Sequence, residues 1–288
     1  MARSDATLNS SIAGAATSLG ALAAVSHRRP GRAELAGLLG LALGVMVALS
    51  VGEMGLRNAA EHGTERVGPA FVVGWAAFAA LRRAVPEPSP EGLAYLFGGG
   101  SEARAPVGSR TRARRKAVGT TGEVEGTGDS DKADRTRRLL RLGLLMAFTM
   151  TAHNLPEGVA VGAAALTAAD SGLISGTRMA LAIGLHNVPE GIVVAAPLFA
   201  ATRSRLASVS VAAASGLAEP LGALLAVGVL RGAVVPVDIV VGAAGGLMAA
   251  VCALELWPEG RACGHPVRLG AGIVAGVAVA IVSDAMGG

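Results

Sequence analysis

Aromatic residues are scarce in this chain: Phe, Trp and Tyr make up 3% of its 288 residues. A membrane protein with so few rings has no Trp/Tyr belt to mark the lipid–water boundaries. Charge is scarce too, at 16% Asp, Glu, Lys and Arg, where soluble domains carry about 25%. Cysteine is nearly absent. Cys252 and Cys263 form no C-x-x-C pair, and nothing suggests a disulfide framework. What remains is 52% hydrophobic, with 41 glycines. Small residues in an apolar chain suit helices packed closely in lipid.

The formal net charge is +4. Most of the positive charge falls in one hydrophilic loop and in short turns between apolar runs, the pattern of a topology signal and not of a nucleic-acid footprint. Arg28, Arg29 and Arg32 follow the first apolar run, whereas a cleavable signal peptide carries its basic cluster before it.

A span needs roughly 20 mostly apolar residues. Runs of that kind lie at about 8–26, 34–54, 67–85, 139–166, 172–200, 205–230, 234–257 and 268–286. They predict an all-α, polytopic membrane protein with eight transmembrane helices. The chain divides into 1–85 with spans one to three, a loop at 86–136, and 137–288 with spans four to eight. Basic residues follow spans one, three, five and seven. Cytoplasmic loops hold the excess of Lys and Arg, so both termini are expected outside a cell membrane and the long loop inside. That loop is rich in Pro, Gly, Ser, Glu and Arg and reads as disordered. Its stretch Arg112 to Lys116 has the charge to meet anionic headgroups, although an orientation signal needs no such partner.

Two near-identical motifs stand out. Span four carries His153-Asn154-Leu155-Pro156-Glu157-Gly158, and span five carries His186-Asn187-Val188-Pro189-Glu190-Gly191. Both sit well inside apolar runs, where a charged residue costs at least about 2.5–3.5 kcal/mol. His and Glu four apart share a helix face, and Asn lies three before the same Glu. Each helix can therefore aim an imidazole, an amide oxygen and a carboxylate at one centre. Pro156 and Pro189 cannot donate to the carbonyls of Ala152 and Leu185, so a kink with freed carbonyls is expected there. Span six adds Glu219, followed by Pro220, as a third carboxylate. Imidazole and carboxylate suit zinc, iron, manganese, cobalt or cadmium. Two His argue against calcium. One divalent ion would leave three Glu with a single net negative charge, and two ions with a net positive one. Spacing alone does not choose between them.

Other ionisable residues have two readings each. Glu53 near the outer end of span two, and Asp284 near that of span eight, are candidate entrance groups or interface residues. Glu255 near the inner end of span seven is a candidate exit group, or part of a helix terminus at Glu255-Leu-Trp-Pro. His27, His62 and His265 read as loop residues, and Met46, Met146, Met150 and Met248 as core fillers.

The doubled motif resembles the fourth and fifth spans of the ZIP (Zrt/Irt-like protein) family, bacterial type. Ser215-Gly216-Leu217-Ala218-Glu219-Pro220 is similar to the family's sixth span, and Gly245 through Pro258 to its seventh. The resemblance implies a 3+2+3 inverted-repeat bundle, often a homodimer, that moves divalent metal, zinc first, into the cytoplasm. It implies two ions: one held by His153, Glu157, His186 and Glu190, the other by Asn154, Glu157, Asn187, Glu190 and Glu219, with the two Glu bridging. It also implies motion of one bundle against another. The long loop departs from many relatives in having no His, and Leu254 stands where some carry a His or Asp. Both features weaken a metal site near the exit. Alternatives are an exporter or proton exchanger with the same ligands, and an intramembrane metalloenzyme. The enzyme lacks the H-E-x-x-H pattern that places a general base beside zinc ligands.

Overall fold

The computed structural model describes residues 2–26, 30–84, 127–167, 173–228 and 236–287. Among these the chain forms eight helical rods and no strand. They are α1 (Ala2–Ser26), α2 (Arg32–His62), α3 (Thr64–Ala84), α4 (Thr127–Thr167), α5 (Leu173–Thr202), α6 (Arg205–Gly228), α7 (237–262) and α8 (Pro266–Gly287). Five of them, α1, α2, α6, α7 and α8, are long and apolar enough to cross a membrane by composition alone. The third is closed by Arg82 and Arg83, which lower its mean hydropathy.

Several rods outrun their apolar stretches. Residues 86–126 of the hydrophilic loop, with Arg112 to Lys116, lie outside the described residues, and the chain is helical from Thr127. At the far end of α2, Arg57 bonds Glu53 at 2.9 Å and Glu61 at 3.2 Å. Such pairs one turn apart support a helix beyond the lipid. The reading of Glu255-Leu-Trp-Pro as a helix terminus is corrected. The rod runs on to Ala262, because Pro258 sits in the first turn of its last segment, where no N–H is required.

Four parallel pairs build the bundle: α1 with α5, α4 with α6, α2 with α8, and α3 with α7. Glycine makes each seam. A Cβ on Gly158 would strike the carbonyl of Glu219, one on Gly222 that of Leu155, one on Gly44 that of Ile273 and one on Gly74 that of Ala243. Contacts advance in the same direction along both members of a pair, as eight alternating spans require.

The halves repeat each other. Gly14 and Gly216, Gly20 and Gly222, Gly44 and Gly246, and Gly74 and Gly276 each stand 202 positions apart and make matching contacts. Gly74 meets Ala243 and Leu247 where Gly276 meets Leu41 and Val45. A π-helical segment occurs in both α2 (Ala48–Arg57) and α7 (Cys252–Leu256). Tight turns at Gly63 (φ 97°) and Gly264 (φ 76°) close α2 onto α3 and α7 onto α8. The fold is the 3+2+3 arrangement, with α4 and α5 between two related three-helix units.

These helices form two groups, α1/α4/α5/α6 and α2/α3/α7/α8. Every glycine–carbonyl seam among the described residues lies within a group. The largest fully buried side chains, among them Leu35, Leu39 and Met46 of α2, Leu145, Met146 and Met150 of α4, Leu198 of α5 and Met248 of α7, belong to one core cluster drawn from both groups. The four methionines fill the core as expected.

Candidate metal centre

Both motifs lie in continuous helix, with Pro156 and Pro189 inside α4 and α5. His153, Asn154, His186, Asn187, Glu190 and Glu219 are buried, the last at 0% exposure. Glu157 is nearly so, with 12% of its side chain exposed. His186 Nε2 lies 2.7 Å from Glu157 Oε1. His153 Nε2 lies 3.8 Å from Glu157 Oε2 and 3.7 Å from Glu190 Oε1. The four side chains of the two helices thus face one another across the α4–α5 contact, as the spacing of four predicts.

The asparagines follow one rule. Asn154 Nδ2 donates to the Ser215 carbonyl at 3.3 Å, and Asn187 Nδ2 to the Ala13 carbonyl at 3.0 Å. Ser215 and Ala13 are again 202 apart. Asn187 Nδ2 also donates to Glu219 Oε2 at 2.8 Å, which ties the third carboxylate to the second motif. The motif glycines set these depths. Gly158 admits the backbone of Glu219 on α6, and Gly191 admits that of Thr17 on α1. Glu219 and Thr17 are therefore counterparts in the two repeats, one a carboxylate and the other a hydroxyl.

Seven polar atoms of these residues are buried without a hydrogen-bond partner: His153 Nδ1, Asn154 Oδ1, Glu157 Oε2, Asn187 Oδ1, Glu190 Oε1 and Oε2, and Glu219 Oε1. Native interiors pair nearly all such groups. A carboxylate this deep with neither oxygen bonded, as at Glu190, is stable only as an acid or beside a cation. Among the described residues no three His, Cys, Asp or Glu side chains converge closely enough to form a ready-made ion site. The His186–Glu157 contact accounts for part of that, since it joins two donors directly.

Glu53, Glu255 and Asp284 lie elsewhere. Arg57 holds Glu53 and Asp284, each at 2.9 Å, in an exposed cluster. Glu255 is buried, bonded to Arg82 and 3.7 Å from Arg141. The repeat relates these two ends: Glu53 answers to Glu255 and Arg82 to Asp284, both 202 apart. His62 and His265 are exposed, and His27 lies outside the described residues. Both cysteines are free and buried.

Two buried hydroxyls on these helices were not singled out from sequence. Thr17 on α1 and Thr149, one turn before His153, are buried with unpartnered hydroxyls. The signal was present in the register shift: six glycines of the first three spans, Gly14, Gly20, Gly40, Gly44, Gly68 and Gly74, recur 202 positions later. Aligning the halves on them puts Thr17 opposite Glu219.

Fold and centre together define a polytopic α-helical membrane protein with metal-donor side chains buried between its two central helices. Comparison with known proteins gives the family. A model described as ZIP zinc transporter matches residues 99–284. The zinc transporter ZupT of Corynebacterium efficiens is 34% identical over 94% of this chain and 92% of its own length. The zinc transporter ZTP29 of Arabidopsis thaliana is 33% identical over 86% of this chain and 81% of its own. The zinc transporter ZIPB of Bordetella bronchiseptica is 41% identical over 49% of this chain and 44% of its own. The chain belongs to the ZIP zinc transporter family, a family of transporters and not of enzymes.

Proposed function

We propose that this chain carries Zn2+ across a cell membrane, toward the cytoplasm, through the centre between α4 and α5. His153, Glu157, His186 and Glu190 take the ion first in this reading. Asn154, Asn187 and Glu219 offer oxygens for a second ion that shares the two motif carboxylates. Seven unpartnered donor atoms on these residues carry the proposal, because each is of a type that binds zinc or another borderline divalent ion. Iron, manganese, cobalt and cadmium are admitted by the same chemistry. A dication also offsets the cost of burying Glu190 and Glu219.

The charge distribution supports the orientation. Arg57 and Arg66 at one end are matched by Glu53, Glu61, Asp284 and Asp238. At the other end Arg32, Arg135, Arg137, Arg138 and Arg141 gather around one cavity. The excess of arginine marks the cytoplasmic side, which leaves both termini outside. A homodimer, implied by the family resemblance, belongs to the same reading.

Proteoliposomes loaded with a zinc-sensitive dye test the site. Glu157→Gln and His186→Ala are expected to reduce zinc influx to the level of empty liposomes. Wild-type influx in both variants would sink the assignment of the centre. Protons compete with metal for His and Glu, so zinc affinity is expected to fall as pH is lowered from neutral. Equilibrium binding measured at several pH values checks this, and a flat profile would exclude these ligands.

A further inference from the structure

At the arginine-rich end, α2, the start of α4 and Ala262 at the end of α7 line a half-open cavity of about 670 Å³. Arg32 lines it from α2, and Arg135, Arg137, Arg138 and Arg141 line it from α4. Among the described residues one acid, Asp134, shares the wall, and it is paired with Arg137 at 2.8 Å. Two more acids near it, among the described residues, have partners of their own. Glu255 serves Arg82 and Arg141. Glu34 gives Oε2 to the Gly31 N–H at 2.8 Å. Glu259 is in electrostatic reach of both Arg135 and Arg138 and cannot neutralise the two. Among the described residues Arg32, Arg135 and Arg138 form no ion pair.

Five guanidinium groups around one space repel one another, and water screens that repulsion only in part. The guanidinium fork fits the oxygens of a phosphate, two bonds at a time. Place matters too. Leu139, Leu140 and Leu142, directly after these arginines on α4, are buried in the core. The cavity therefore sits where the apolar span meets the headgroup layer.

We propose that this cavity binds a phosphate-bearing anion, either the headgroup of an acidic phospholipid or a soluble phosphate compound. Arg141, which lines it, also donates to the Arg82 carbonyl at 2.9 Å. A bound anion would thus lie beside the contact that joins α4 to α3 and α7. None of these arginines belongs to the metal centre, so the inference stands or falls independently of the zinc site.

The test uses the purified full chain in neutral detergent, titrated separately with pyrophosphate and with short-chain phosphatidylglycerol. Short-chain phosphatidylcholine is the blank. Binding and the shift in unfolding temperature are read for three proteins: wild type, the triple variant R32Q/R135Q/R138Q, and the control R83Q/R203Q, which removes exposed arginines from the same end. Charge-assisted hydrogen bonds are lost in the triple variant, and binding about tenfold weaker or worse is expected there. The control should match wild type. Dependence on the three arginines with phosphatidylglycerol alone assigns the lipid headgroup; the same dependence with pyrophosphate alone assigns the soluble source. Equal binding by all three proteins, or none by wild type, overturns the proposal. Monodisperse elution and unchanged zinc uptake in phosphatidylcholine liposomes show that the triple variant is folded.

Discussion

Gly158 and Gly191 look alike in sequence, yet each seats a different helix. Gly158 brings α6 close enough to deliver Glu219, and Gly191 brings α1 close enough to deliver Thr17. A methyl group at either position meets a carbonyl oxygen that backbone geometry holds in place. Gly158→Ala and Gly191→Ala are each expected to cost about 1–3 kcal/mol through overpacking, read as a lower unfolding temperature in detergent. Gly270→Ala, with open space at its Cβ, should be neutral or gain up to about 1 kcal/mol from helix propensity. The Glu219 and Thr17 pair yields a second prediction. Glu219→Thr makes the two halves of the centre alike and removes one carboxylate. Zinc affinity is expected to fall while the protein stays folded, as measured by equilibrium binding; unchanged affinity would remove Glu219 from the ligand set.

Among elements, α7 depends on its ion pairs. Glu255 is buried in a π-helical segment and is held by arginines from α3 and α4. Removing Arg82 leaves the buried Glu255 with Arg141 alone, 3.7 Å away, a loss smaller than the about 3–5 kcal/mol of a fully buried pair broken outright. Arg82→Gln should therefore destabilise the protein more than Glu255→Gln. The double variant Arg82→Gln/Glu255→Gln should recover part of the loss in a thermal-melt cycle. This contact could not be read from the sequence. Arg82 and Glu255 are far apart in the chain, and the local sequence of Glu255 reads only as an exit group or a helix end. The doubled motif was legible because all its spacing is local: one helical turn fixes His153 against Glu157 and His186 against Glu190. Partners supplied by other helices, such as the Ala13 and Ser215 carbonyls, carry no side-chain signature at all.

At the scale of the molecule, eight helices were legible from apolar length, since lipid thickness imposes it. The pairing of the helices was not, although the glycine recurrence encodes it. That pairing has a mechanical consequence. Within each group of four helices, backbones interlock at glycine notches, as keyed joints do. Where the groups meet, no such notch occurs among the described residues, and the core they share is rich in leucine and methionine. Load applied by an entering or leaving ion should then slip one group along the other and leave the joints closed. A cross-link between α4 and α6 should be tolerated in uptake assays, while one between α5 and α8 should arrest transport, with Cys252 and Cys263 replaced beforehand. The notches that let α6 bring its carboxylate to the centre would also make it travel with α4 in any such slip.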